Sequence, residues 1–335
     1  MRSLVTGASG FIGRRLAREL VRRGDEVACL VRRTSRTAPL RDLPVELVVG
    51  DLGDPGSLEA AVKGRDRVFH LAGVVQAVDE AAFDTANARG TANLVGACLR
   101  AAPGLKRFVF VSSIAAAGPS GPGRPVVETD APKPISAYGR SKLAAEGAVR
   151  ETGARLPATI VRPPNVLGPG SKELAGAIGL LCKRLAPVIG DERPRTSLVD
   201  VDDLVSALIL AADHPRAVGE IYFVTDGGSY AWPEIMAALA EELGIGRFKL
   251  GIPSGAQFLA AGLAEAACRV TGRTPRVTRE IVRAGRDHFW LYDGSKIGRE
   301  LGFRPLYGMR DSVRRAVAEG GESDRRAARR RPAAR

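Results

Sequence analysis

The chain has few of the residues that build metal centres or disulfide frameworks: three His and four Cys in 335 residues. Cys29, Cys98, Cys182 and Cys268 stand far apart, without paired zinc-site spacing or a short secreted context, so they read as reduced thiols. His70, His214 and His288 are equally scattered, and no metal is expected. No uninterrupted apolar run approaches the ~20 residues needed to span a bilayer. The most apolar segment, Phe258 to Cys268, is broken by Glu265. A first strand opening at Arg2 leaves no room for a leader, so a soluble, cytoplasmic protein is expected.

Aromatics are scarce at 5%, and acids are outnumbered, 37 against 50 basic residues, for a net charge of +13. That balance raises the question of nucleic acid. The tail Gly321 to Arg335 holds six Arg against Glu322 and Asp324, and the remaining excess is spread over many helices. No basic face is interleaved with aromatics, so a nucleic-acid partner is not expected, and residues 320–335 read as a solvated, disordered tail. What is present is an ordinary globular composition, 45% apolar and 26% charged, long enough for one large or two fused domains.

Short apolar strands alternate with helical periodicity through the first half. Strands are predicted at Arg2–Thr6, Glu26–Val31, Val45–Val49, Arg67–Leu71, Arg107–Ser112 and Ala158–Arg162. Between them lie helices at Phe11–Val21, Pro55–Val62, Phe83–Ala101 and Ser136–Glu151. Such alternation predicts a doubly wound α/β domain with a parallel sheet buried on both faces, over residues 1–165. Residues 166–319 read as a smaller, mostly helical substrate lobe, with part of the later chain returning to the sheet. Its helices are predicted at Glu173–Leu185, Val201–Ala212, Trp232–Leu243, Ser254–Val270, Thr278–Ala284 and Ser295–Leu301, with a strand at Ile221–Thr225.

The first strand turns into the first helix on Gly7, Gly10 and Gly13. A helix N-terminus presented above a sheet offers unpaired N–H groups and a positive dipole end to a pyrophosphate. Gly7 suits the tight turn, Gly10 the approach of phosphates, and Gly13 close helix–strand packing. The second strand ends at Arg32 and Arg33 with no acid at its tip, which favours NADP(H) and leaves NAD(H) as the alternative. Asp51 is placed to accept from an adenine amino group with Leu52 against the ring; its competing role is a turn cap. Tyr138 and Lys142 stand four apart on one helix face, where an ammonium can lower a phenol's pKa and make Tyr138 a proton donor or acceptor. Ser112 and Ser113 end the fifth strand on opposite faces, so only one can meet a substrate oxygen beside Tyr138.

These motifs occur in order: TGASGFIG (Thr6–Gly13), GDL (Gly50–Leu52), FHLAG (Phe69–Gly73), NARGTANL (Asn87–Leu94), FVFVSS (Phe108–Ser113), YGRSK (Tyr138–Lys142), RPPNVLGP (Arg162–Pro169) and LVDVDDL (Leu198–Leu204). Together the sequence resembles an extended short-chain dehydrogenase/reductase, the NAD-dependent epimerase/dehydratase family, from Met1 to about Ala318. The resemblance selects Ser113, five residues before Gly118, to orient the substrate oxygen. It implies Tyr138 as acid/base and Lys142 on the nicotinamide ribose, with further cofactor contacts from Phe11, Ile12, Leu71, Ala72, Gly73 and Pro163. Asn87 is expected to shape the helix beside the site, and a homodimer through the two long helices is implied.

Two reactions compete within that family. The Val31-Arg32 tip and the C-terminal lobe resemble dihydroflavonol reductases and 3β-hydroxysteroid dehydrogenase-like proteins, implying a ketone/secondary-alcohol oxidoreductase. Asn165 matches the residue that contacts a substrate diphosphate in nucleotide-sugar 4-epimerases. Against an epimerase, Thr196 occupies the usual diphosphate-binding Arg position and Arg195 lies one residue off; Val75 and Asp200 also depart from that pattern. Ile114-Ala115 cannot do the acid/base work of a 4,6-dehydratase. A non-catalytic nucleotide sensor is the third reading, disfavoured by retention of Ser113, Tyr138 and Lys142. The pocket is expected from the segment around residue 80, Pro163–Gly170 and Glu173–Pro187, aliphatic rather than aromatic, for an apolar or bulky carbonyl compound.

Overall fold

The computed structural model describes residues 1–182, 187–188, 194–245, 250–251, 254–271, 278–279, 282–283 and 288–329. Most of the helix predicted at Thr278–Ala284, and the end of the one predicted at Glu173–Leu185, lie outside the described residues. Seven strands build one sheet: β1 (Arg2–Thr6), β2 (Glu26–Val31), β3 (Glu46–Val49), β4 (Arg67–His70), β5 (Arg107–Val111), β6 (Ala158–Arg162) and β7 (Ile221–Phe223). Their order is β7-β6-β5-β4-β1-β2-β3, and every pairing is parallel. Arg107–Val111 and Ala158–Arg162 are buried along their whole length, as strands covered on both faces must be.

Helices cover each face. Leu16 and Leu20 of α1 (Phe11–Arg22) pack on one side, and Leu58, Leu94 and Val149 of α2 (Pro55–Val62), α3 (Gly90–Ala101) and α4 (Ala137–Arg150) on the other. The doubly wound, Rossmann-like fold read from the sequence is the fold observed. The strand order reverses between β1 and β4, and open α/β sheets bind ligands in the crevice beyond that point, at the carboxyl ends of the strands.

The long helix predicted at Phe83–Ala101 starts a turn earlier, at Glu80, where the Asp79 carboxylate accepts from Ala82 N at 2.8 Å. It then passes through a π-helical segment, Asp84–Arg89, before α3 begins. Two predicted strands stop one residue short, at His70 and Val111.

The later chain forms α5 (Lys172–Cys182), α6 (Val201–Asp213), α7 (Trp232–Glu242), α8 (Ser254–Thr271), α9 (Ser295–Leu301) and α10 (Met309–Arg329). Leu174 and Leu181 of α5, Ile235 and Leu239 of α7, and Val313 of α10 share a core apart from the sheet. By contrast α6, β7 and α9 return to the sheet, adding Leu204, Tyr222 and Ile297 to the core under α1. Three ladders in this half were not read from the sequence: Asn165–Leu167 with Leu198–Asp200, Arg195–Thr196 with Tyr230–Ala231, and Pro187–Val188 with Leu250–Gly251. Segments of two or three residues carry too little periodicity to announce themselves.

Asp200 is the hinge-pin of this region. Its buried carboxylate caps α6 at Asp202 N (2.9 Å) and accepts from Ser312 (2.7 Å) and Arg315 (2.8 Å) of α10. Arg15 of α1 reaches Asp202 at 3.1 Å and Glu319 at 2.8 Å, tying the first helix to the last. Helix α10 takes in the first ten residues of the segment 320–335, read from the sequence as a disordered tail; residues 330–335 lie outside the described residues. No helix among the described residues is long and apolar enough to cross a membrane.

Candidate active site

The glycine turn sits at the carboxyl end of β1. Gly7 has φ +70°, and a Cβ there would lie 2.8 Å from Leu71 C and Ala72 N, so this turn and the FHLAG segment are in direct contact. At Gly13 a Cβ would come within 2.2 Å of the Gly7 carbonyl oxygen, so the helix can rest on the turn only with glycine there. Gly13→Ala is therefore expected to cost about 1–3 kcal/mol by overpacking. Urea denaturation reads that loss, and an unchanged midpoint would contradict it. Gly10 is the N-cap of α1 with no side-chain cap, and the first turn, Phe11-Ile12-Gly13, holds no acid. Its N–H groups lack intrahelical partners, the arrangement that accepts an anion. These residues fit a dinucleotide.

Around that turn stand the other predicted contacts. Arg32 and Arg33 lie exposed at the tip of β2, where Ser35 Oγ accepts from Arg32 N at 2.9 Å. Asp51 is exposed, and one carboxylate oxygen accepts from Gly53 N at 2.7 Å, so the turn-cap role is realised while the other oxygen faces out. Leu52 packs under Gly90 of α3, and its carbonyl accepts from Asn93 at 2.7 Å. Gly73 backs onto the Asn87 amide, which accepts from Val74 N at 2.8 Å and donates to Val74 O at 3.0 Å. Asn87 thus fixes the loop after β4. Pro163 is buried after β6, and its carbonyl accepts from Ile114 N at 3.1 Å.

The helix α4 opens at Ser136, whose hydroxyl accepts from Gly139 N at 2.9 Å. That cap fixes where Tyr138 enters the site. Ser113 and Tyr138 line one pocket, with the serine close enough to pull the phenol's pKa down. Ser112 turns the opposite way and donates to Glu146 at 2.5 Å. The strand alternation thereby separates the two serines, and it is Ser113 that faces the phenol. Ser113 Oγ also accepts from Ala115 N at 3.1 Å, which orients it.

Lys142 lies behind them, buried, with Nζ donating to the Val111 carbonyl at 2.7 Å and standing 4.4 Å over the Phe110 ring. Burial lowers its pKa to about 8, against an upward pull from Glu146. Burial raises the phenol's pKa, against a downward pull from Ser113. A phenol held protonated beside an oriented hydroxyl can give a proton to an oxygen placed between them.

Behind Lys142 the Glu146 carboxylate meets Arg162 in two parallel bonds of 2.8 and 2.6 Å, with both side chains almost fully buried. The Arg162 guanidinium lies 5.5 Å over the Phe223 ring of β7. Sequence reading missed this pair; the residues are 16 apart and belong to different elements.

The pocket has a volume of about 320 Å³ and is lined by Ser113, Ile114, Ala115, Tyr138, Pro164, Asn165, Pro194, Arg195, Thr196, Trp232, His288 and Trp290. Of the stretches expected to line it, Pro163–Gly170 contributes Pro164 and Asn165; part of Glu173–Pro187 lies outside the described residues. Both tryptophans of the chain add an aromatic surface that the aliphatic expectation lacked. In so aromatic-poor a sequence, two Trp outside the nucleotide domain were the available signal. Arg195 is held from four directions: Nε donates to Ser229 Oγ (2.9 Å), Nη2 to Ser229 O (2.5 Å), and Nη1 and Nη2 to Glu234 (3.2 and 3.1 Å). Asn165 Nδ2 lies 3.5 Å from Thr196 Oγ1 across the pocket wall. Among the described residues no group of three or more His, Cys, Asp or Glu could hold a metal ion. Cys29 and Cys98 are free and buried, with thiols pushed up to about 12 by burial.

A glycine turn under a helix N-terminus, with Ser113, Tyr138 and Lys142 facing the same crevice, defines an NAD(P)-dependent enzyme of the short-chain dehydrogenase/reductase type. The chain belongs to the NAD dependent epimerase/dehydratase family, whose model matches residues 3–225. It is 34% identical over 274 residues to the ceramide reductase of Caulobacter vibrioides, covering 82% of this chain and 80% of that one. Against the UDP-glucose 4-epimerase of Vibrio cholerae it is 29% identical over 261 residues, covering 75% and 78%. The dTDP-glucose 4,6-dehydratase DesIV of Streptomyces venezuelae, solved with NAD bound, superposes with a TM-score of 0.79 at 27% identity, over 96% of this chain and 97% of that one.

Proposed function

We propose that the protein reduces a ketone on an uncharged organic compound to a secondary alcohol, with NADPH as the preferred cofactor. The observation that carries this reading is the pocket's charge. Its arginine is neutralised by Glu234 and held by Ser229, while two indoles and Thr196 form the facing surface. Such a wall favours an apolar or flat body, and among the described lining residues the one arginine is already paired with Glu234.

Ser113 donates to the carbonyl oxygen, and Tyr138 supplies the proton that completes the alcohol. Lys142 holds positive charge behind the phenol and meets the nicotinamide ribose. A nicotinamide bound there supplies the hydride. Phe11, Ile12 and Gly13 present the N–H groups to the pyrophosphate, and Leu71, Ala72, Gly73 and Pro163 flank the cofactor. Arg32 and Arg33 meet the 2′-phosphate, with Asp51 and Leu52 at the adenine. The named relative that reduces a ceramide supports an apolar substrate by likeness.

A second reading, a nucleotide-sugar 4-epimerase holding NAD tightly, is favoured by Asn165 in the pocket wall and by the likeness to the Vibrio cholerae enzyme. The two separate on purified protein. The reductase is expected to come free of nucleotide, to bind NADPH at least about tenfold more tightly than NADH, to ignore UDP, and to oxidise NADPH with apolar ketones. Stoichiometric NAD released on denaturation, with UDP binding, overturns it. Arg32→Ser together with Arg33→Ser is expected to weaken NADPH binding about tenfold or more while leaving NADH unchanged. Equal losses for both nucleotides would remove these residues from the 2′-phosphate.

A further inference from the structure

Below the crevice a line of buried hydrogen bonds joins the turn after β1 to the helix carrying Tyr138. Thr6, His70, Thr91, Asn87 and Ser141 form it, none more than 5% exposed. Its direction is fixed by one proton. Thr91 Oγ1 donates to the Asn87 carbonyl at 2.6 Å. A hydroxyl has a single hydrogen, so toward His70 Nε2, at 3.0 Å, Thr91 can only accept. His70 therefore carries its proton on Nε2. Burial, then the charge of Lys142, hold its pKa down to about 3, so the ring is neutral and Nδ1 bare. Nδ1 accepts from the Thr6 hydroxyl at 2.7 Å, and Thr6 Oγ1 accepts from Ala72 N at 3.1 Å.

At the other end the Asn87 amide donates to Ser141 Oγ at 3.0 Å, and Ser141 donates to the Tyr138 carbonyl at 2.8 Å. Asn87 belongs to the π-helical segment, a backbone form that often marks functional sites. Phe110 stacks on His70 with centroids 5.5 Å apart and carries Lys142 above it, so the ring has little freedom to rotate.

We infer that His70 is a positioning residue, whose Nε2-protonated ring couples the nucleotide turn at Thr6-Gly7-Ala72 to the placement of Tyr138. The inference rests on the reading that nucleotide binds over Gly7–Gly13 and that Tyr138 is the proton donor. A fully satisfied buried network has one low-energy arrangement, so displacement at either end is resisted at the other. Removing one link opens the network and leaves a buried donor unpaired.

The test uses full-length protein carrying ¹⁵N-His and ¹³Cζ-Tyr. With three His and five Tyr in the chain, His70→Gln and Tyr138→Phe assign the two signals. His70 is expected to show the Nε2–H tautomer and no protonation down to about pH 5. NADPH is expected to shift the Tyr138 signal. Thr91→Val, which deletes the central hydroxyl, is expected to lose at least about half of that shift and to bind NADPH about tenfold more weakly. Thr152→Val is the control, since Thr152 is buried and donates to Val149 O at 2.7 Å beyond the end of α4; both responses should survive there. An Nδ1–H tautomer, a titration near pH 6.5, a wild-type response in Thr91→Val, or an equal loss in the control overturns the inference. Wild-type protein that binds neither NADPH nor NADH overturns the functional reading, and the coupling with it.

Discussion

Tyr138→Phe is expected to lower turnover of any accepted ketone about a thousandfold, within the range that a positioned general acid contributes. The expectation follows from where the hydroxyl sits. It lies beside Ser113 at the pocket wall, and burial keeps it protonated through the neutral range. Phe retains the ring, including its tilted contact with Phe83 at 5.9 Å, so the pocket keeps its shape. NADPH binding should then change by less than about threefold, since only one hydroxyl is lost and it faces the substrate side. Stopped-flow nucleotide oxidation and fluorescence titration measure the two quantities. Turnover within tenfold of wild type would mean that another group delivers the proton. The pH profile carries a further sign. In the nucleotide-free protein Lys142 loses its charge as pH rises through about 8. Reduction should therefore hold steady below that value and decline above it.

Glu146→Ala is expected to destabilise the fold by about 3–5 kcal/mol, because it strands the buried Arg162 guanidinium without its counter-charge. Arg162 is the largest fully buried side chain, and both its bonds to carboxylate oxygens end on Glu146. The effect is therefore the penalty of an uncompensated charge, not the net worth of the pair. Replacing both residues together, as Glu146→Leu with Arg162→Met, should recover much of the loss, as apolar isosteres do elsewhere. Urea denaturation decides it: a single-variant loss below about 1 kcal/mol would show that water or a new partner reaches Arg162.

Much of the nucleotide half was legible because its signals are local. The glycine turn, all six strand positions within a residue, and the four-residue spacing of Tyr138 and Lys142 need only neighbouring residues. Strand alternation told that one of Ser112 and Ser113 could serve, and the structure turns Ser113 to the phenol and Ser112 to Glu146. The substrate side was not legible in the same way. Trp232, Trp290 and Arg195 come from separate stretches whose meeting depends on two-residue ladders. The charge of that pocket lies in a contact between Arg195 and Glu234, 39 residues apart. The π-helical segment was hidden because its pattern continues the helix on either side, and only the engagement of Asn87 with Val74 reveals it.

The tie from Arg15 to Glu319 spans 304 residues of chain. Its consequence is one of timing. A ribosome releases the first helix long before the last, so during synthesis the nucleotide turn and α1 exist without Asp202 and without α10. The sheet itself waits on β7, which pairs with β6 across some sixty intervening positions, Ile221 opposite Ile160. Contacts of such long range are slow to close and reward the chain only at the end. The nascent protein must therefore finish its cofactor-binding half with residues that emerge last, and a dinucleotide present at that moment would favour the completed state by mass action.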